Sequence, residues 1–309
     1  MKLKLNHPVV SALLASFCCL LWGSAIPAIN IGYRLFAVES GDVPTLMLFA
    51  GIRFMMAGAL TVVFVSLQKG RFVRPKKGNW DKALKLALVQ TIIQYGLFYV
   101  GVANTESAKG SIIQGLSPFI AILVACYLFR SERMNALKWI GGLIGVAGVV
   151  IMNLTGDGMS LSVSLLGEGF LLLSLLSNAC SAGMIKIYGR HDDPATLSGW
   201  QFMIGGAVMA VCGFAAGGRL LPQGIAAYCV LLYLALLSAV AYTLWALLLS
   251  HNAVSRITVF HFLQPIFGVG LGLLLGTAKD VPLLRCGAAL VLVSLSIVIV
   301  VRAQHADAK

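Results

Sequence analysis

The apolar residues of this chain come in blocks of about twenty, the number an α-helix needs to cross a ~30 Å hydrocarbon core. Short polar stretches separate the blocks. Inside a bilayer every backbone N–H and C=O must find a partner within the protein, so only helices and closed barrels span it. Barrel strands alternate apolar and polar residues over segments of about ten, and that alternation is missing here. The blocks predict an all-α membrane protein with ten transmembrane helices, at 9–31, 45–67, 83–102, 107–129, 137–154, 165–187, 195–217, 226–249, 253–275 and 281–301. A chain of 309 residues that is 59% hydrophobic and 11% charged is far outside the range of soluble domains. The first block follows Lys2 and Lys4 as a signal peptide would, but it runs past Trp22 to Ile31, so a retained helix is expected.

The formal net charge of +12 is distributed by side, not by patch. Numbering the spans from the N-terminus puts 17 of the 23 Lys and Arg residues at one face, with the densest run in 68–82, QKGRFVRPKKGNWDK. Arg34, Arg53, Lys109, Arg219, Lys279 and Arg285 fall on the other side. This asymmetry is the positive-inside pattern, and it places both termini in the cytoplasm and sets nucleic acid aside as a partner. The seven cysteines lie in or at the ends of spans without a C-x-x-C, so they read as small packing residues, with neither a metal nor a disulfide framework. No cofactor is expected. The turn 191–194, HDDP, has metal-ligand residue types but reads as a helix cap.

The chain also repeats. YGLFYVGVANTESAKGSIIQGLSPFIAILVACYLF (95–129) aligns without gaps on YTLWALLLSHNAVSRITVFHFLQPIFGVGLGLLLG (242–276). At a constant offset of 147, Tyr95 meets Tyr242, Lys109 meets Arg256, Gln114 meets His261 and Pro118 meets Pro265. At an offset of 148, RFMMAGA (53–59) meets QFMIGGA (201–207). Two five-helix repeats follow, 1–154 and 155–309. Five is odd, so the second copy enters the membrane from the opposite face. Inverted repeats of this sort build secondary transporters, whose site lies near the midplane between the copies.

LLWGSAIPAI, RFMMAGAL, SPFIAILVACYLFRSERMNALKWIGGLIGVAGVVIM and LQPIFGVGLGLLLG together resemble EamA-type members of the drug/metabolite transporter superfamily, over nearly the whole chain. That resemblance implies ten helices, two inverted repeats, a central cavity, and transport of small organic molecules, often export of amino acids. Where the family pattern has Gly-Glu after the Leu run, the second repeat has Gly276-Thr277.

Charges inside the spans are scarce. Arg53 is expected to snorkel outward or to pair with an acid. Glu168 suits a helix N-terminus, Glu106 and Lys109 suit an interfacial pair, and Lys186 suits a helix end. Trp22, Tyr95, Tyr99, Asn178, Tyr242 and Trp245 lie well inside spans. With Gln114, Ser117, His261 and Gln264 they make a candidate substrate site of aromatic walls and polar anchors. His261 and Gln264 share one side of their helix, and Pro265 cannot donate to the carbonyl of His261, which leaves that carbonyl free.

The chain therefore reads as a secondary transporter, with export implied, of a small neutral or zwitterionic metabolite across a bacterial cytoplasmic membrane, with lipid around it. Two energy sources stay open: facilitated diffusion, and proton coupling through His261. Oligomeric state is not legible. The competing classes are a lipid-handling or scaffold protein, which an inverted repeat does not need, and an intramembrane enzyme, for which His261 lacks a nucleophile partner.

Overall fold

The computed structural model describes residues 5–39, 41–153, 164–274 and 283–307. The expectations concerning the 155–163 connection, Gly276-Thr277 and the side chain of Cys286 lie outside the described residues. The helical elements are α1 (Pro8–Leu35), α2 (Val43–Lys69), α3 (Trp80–Ala103), α4 (Lys109–Leu128), α5 (Ala136–Asn153), α6 (Leu165–Tyr188), α7 (Pro194–Ala215), α8 (Ile225–His251), α9 (Val254–Gly272) and α10 (Leu283–Asp307). Among the described residues, eight of them are long and apolar enough to cross a membrane. Shorter apolar helical stretches, Ala136–Ile151 and Gly287–Ala303, lie in α5 and α10.

The helix ends follow local chemistry. Asp42 accepts a hydrogen bond from the Thr45 N–H (3.2 Å) and Asp193 one from the Thr196 N–H (3.1 Å), each with Pro in the following turn. The HDDP turn is thus a cap. It is also a clasp: Asp193 pairs with Lys69 (2.7 Å), and Asp192 takes Lys82 (2.6 Å) from the first turn of α3 and Asn79 (2.5 Å) just before it. The connection 36–42 meets 216–223 at the opposite ends of these helices, through Leu221 N–H to Phe36 C=O (3.2 Å) and Gln223 N–H to Leu35 C=O (2.8 Å). Glu132, beyond α4, accepts from the Ser255 N–H (3.1 Å) and hydroxyl at the start of α9, and it pairs with the fully buried Lys138 (3.3 Å). Lys186 closes α6 by donating to the Asn252 carbonyl (2.5 Å).

Glycines set how the helices cross. A Cβ on Gly58 would stand 2.5 Å from the Gly199 carbonyl oxygen, and one on Gly51 2.8 Å from that of Gly206. Partners rise in number along α7 as they fall along α2, so the two run antiparallel at near backbone contact. α5 and α10 do the same, with Gly141 against Val300 and Gly148 against Val293. α1 runs antiparallel to α8, where the Cys18 thiol meets the Ala241 carbonyl and Ser24 the Tyr233 hydroxyl.

Candidate substrate-binding site

The interior side chains are aimed by breaks in helical regularity. α3 is α-helical to Leu86, winds as a π-helix over Ala87–Ile93 and resumes at Gln94. The wider turn misaligns main-chain groups, and the Ser177 hydroxyl of α6 caps one of them, the Val89 carbonyl (2.7 Å). In α4 the α-helix ends at Gly115 and restarts at Ser117, directly before Pro118. In α9 the stretch Val259–Phe262 is a 3-10 helix, whose last turn directs the Leu263 N–H at the Phe260 carbonyl.

Six of the ten predicted residues form one continuous aromatic group. The His261 ring stacks on Trp245 at 4.2 Å with an interplanar angle of 11°. Trp22 of α1 lies 5.0 Å from both rings and 5.2 Å from Tyr242, and its Nε1–H is buried without an acceptor. The Tyr242 hydroxyl bonds to the Tyr95 hydroxyl of α3. Tyr95 packs on Phe54 (4.5 Å) and faces Tyr99 at 6.1 Å. Asn178 and Ser117 make a separate α6–α4 pair at 3.4 Å. Gln114 is adjacent to the α4 break, with its amide nitrogen buried and unbonded. Gln264 is half-buried in α9, with no hydrogen bond to the aromatic group among the described residues.

Other interior residues were not anticipated. Thr91 donates to the Gln201 side chain (2.9 Å), and both are buried. A narrow cleft, with room for little more than a water molecule, runs from Gly189 and Pro194, at the clasped end, past Gln90, Ser198 and Gln201 to Tyr242, the one predicted residue on its wall. The pairing of RFMMAGA with QFMIGGA was the available signal for Gln201. Arg53 overturns the snorkelling expectation: it is 6% exposed, with its guanidinium 4.4 Å from the centre of the Phe54 ring and no acid partner among the described residues. The physical reason is the phase of α2, which turns position 53 toward the α3 and α8 tyrosines and away from the lipid. The other charged expectations hold: Lys109 lies 3.7 Å from both Glu106 and Glu168.

Membrane-length helices around an aromatic and polar interior, with a cleft leading into it, define a multi-pass membrane protein of the solute-transporter class. Residues 9–154 and 165–300 each match the EamA-like transporter family, and the chain belongs to that family. It is 26% identical to a protein of Synechocystis sp. named as an uncharacterized transporter, over 96% of this chain and 91% of that one. It is 28% identical to the Escherichia coli (strain K12) protein named as the uncharacterized inner membrane transporter YedA, over 89% of this chain and 85% of that one. A crystal structure 16% identical in sequence shares the fold with a TM-score of 0.78, over 93% of this chain and 96% of the other.

Proposed function

We propose that the protein is a secondary transporter that exports small organic metabolites, such as amino acids, across a bacterial cytoplasmic membrane by alternating access. Its units are two inverted five-helix repeats, 1–154 and 155–309. One observation carries this reading: elements five apart in order pack on each other antiparallel, α2 on α7 and α5 on α10, and Tyr95 and Tyr242, 147 residues apart, bond hydroxyl to hydroxyl. A two-fold axis in the membrane plane produces that pattern, since only residues on the axis can meet their own equivalents. The two loop clasps support it, because the connections meeting at one end are the repeat counterparts of those meeting at the other.

The substrate site is the aromatic group with its flanking polar residues: Trp22, Tyr95, Tyr99, Gln114, Ser117, Asn178, Tyr242, Trp245, His261 and Gln264. The basic loops assign the clasped end, with both termini, to the cytoplasm. The cleft then faces the cytoplasm, and a substrate loading from inside reaches Tyr242 first. His261, stacked on Trp245 with Trp22 tilted against both rings, is the polar anchor and the proton carrier if transport is proton-coupled.

Flux of radiolabelled amino acids in sealed vesicles tests the reading. The wild-type protein accumulates substrate in inside-out vesicles, and His261→Ala does not, while eluting as a folded monodisperse protein. Normal flux by His261→Ala from about pH 5.5 to 8 moves the site elsewhere. No flux of any small metabolite by the wild type overturns the transport reading.

A further inference from the structure

Arg53 is ten residues into α2, about 15 Å from its start at ~1.5 Å per residue, so it sits at membrane depth. Tyr33, Tyr95, Tyr99 and Tyr242 surround its guanidinium at electrostatic range, and the Phe54 ring covers one side. Its Nε–H is buried with no acceptor. The nearby tyrosines offer it hydroxyl oxygens but no carboxylate. Among the described residues, the acids in ion pairs are engaged with other cations: Glu106 and Glu168 with Lys109, Glu132 with Lys138, Asp192 with Lys82, Asp193 with Lys69 and Asp81 with Lys85.

A guanidinium stays protonated in a protein, and a buried cation lacking its counter-ion is costly at this depth. The fold does not require one at this position. Gln201, the counterpart of Arg53 at an offset of 148, occupies the same place in the other repeat as a neutral side chain bonded to Thr91. A charge the packing does not need, buried without an anion among the described residues, matches a ligand that brings the anion.

Resting on the transport reading above, we propose that Arg53 binds the carboxylate of the transported molecule, with the Tyr95, Tyr99 and Tyr242 hydroxyls as further donors. The planar fork of the guanidinium fits two carboxylate oxygens side by side. A single guanidinium balances a monoanion. A phosphate monoester calls for a second cation, and among the described residues the other buried Lys or Arg is Lys138, which is paired with Glu132. Tyr242 links cleft and anchor: it lines the cleft, and its hydroxyl holds that of Tyr95, which packs against Phe54. Breaking this one bond frees both hydroxyls to turn to the carboxylate.

The test uses the full chain in lipid nanodiscs, with tryptophan fluorescence and thermal shift as readouts. The probes are the twenty proteinogenic amino acids and a set of aryl and 2-oxo monocarboxylates, each beside its methyl ester, and inorganic phosphate. The expected result is binding by at least one acid, at least tenfold weaker binding by its ester, and no response to phosphate. Arg53→Gln loses at least tenfold in affinity for the acid but not for the ester, and Arg53→Lys recovers part of the loss. If Arg53→Gln does not fold, the acid–ester comparison on the wild type and Tyr99→Phe, expected to weaken acid binding alone, carry the test. Esters binding as well as acids, unchanged affinity in Arg53→Gln, phosphate binding ahead of every carboxylate, or no acid binding at all overturns the proposal. Vesicle flux separates the two readings: esters or amines carried in preference to acids sink the anchor and leave transport standing, whereas no flux of any probe sinks transport.

Discussion

Gly58→Ala tests the crossing on which the fold turns. The added Cβ would lie 2.5 Å from the Gly199 carbonyl oxygen and 2.8 Å from the Met203 Cα. Carbon atoms in contact sit at about 3.5–4.0 Å, so α2 and α7 must part by roughly 1 Å. The obstacles are backbone atoms, which no rotamer change can move. Overpacking of this kind costs about 1–3 kcal/mol, and here the upper end applies. Alanine also recovers about 0.5–1 kcal/mol of helix-forming preference over glycine, leaving a net loss of about 2 kcal/mol. Gly96 in α3 is the control, because a Cβ there meets nothing within 4 Å. Gly96→Ala keeps the gain without the clash, so the two variants should differ by about 3 kcal/mol. For a chain of this size that is roughly 5 °C or more in melting temperature, read from intrinsic fluorescence in detergent. Equal melting of the two would refute the close α2–α7 contact, and with it the antiparallel pairing of the repeat helices.

Glu132→Gln weakens the pair with Lys138 and the cap on α9, and should cost about 3 kcal/mol while leaving substrate affinity unchanged; a normally stable variant with altered substrate preference would contradict this. Cysteine labelling in a cysteine-free background checks orientation. Lys77→Cys, exposed beside Gly78 whose φ of 88° disfavours substitution there, should react with an impermeant maleimide only after cell lysis, and labelling in intact cells would invert the topology. Asp193 supplies a pH signature. Burial opposes its ionisation, but hydrogen bonds from Lys69 and Thr196 outweigh that and hold its carboxyl below the usual 3.8. Its folded-state pKa is depressed, so its stabilisation is complete above the ordinary carboxylate pKa and disappears as pH falls through the lower folded value. Melting curves from neutral to acid pH should show that loss in the wild type and less of it in Asp193→Asn, which still caps but lacks the titrating group and the partly exposed Lys69 pair, and should be about 0.5 kcal/mol weaker at neutral pH.

How much was legible beforehand follows from which properties are local. Span length and caps depend on neighbouring residues, so the apolar runs and the HDDP turn placed them directly. The repeat was legible because a constant offset survives in the sequence even where the fold inverts its direction. Lipid-facing and protein-facing sides are much harder to tell apart, since both are apolar and helices in a bilayer lack the polar stripe that reveals rotation in water. For that reason Trp22, Trp245 and His261 were predicted as interior residues, but their stacking was not, and Gln201 went unnoticed. Arg53 was misread because its fate depends wholly on the phase of α2. The sequence by itself determined that helices cross, where they start and which residues are costly to bury. Only the tertiary structure decided which costly residues meet: tyrosine met tyrosine inside the bundle, and an arginine was buried with no acid partner among the described residues. Helix rotation and long-range pairing are set by the packing of whole helices, not by any short stretch of chain.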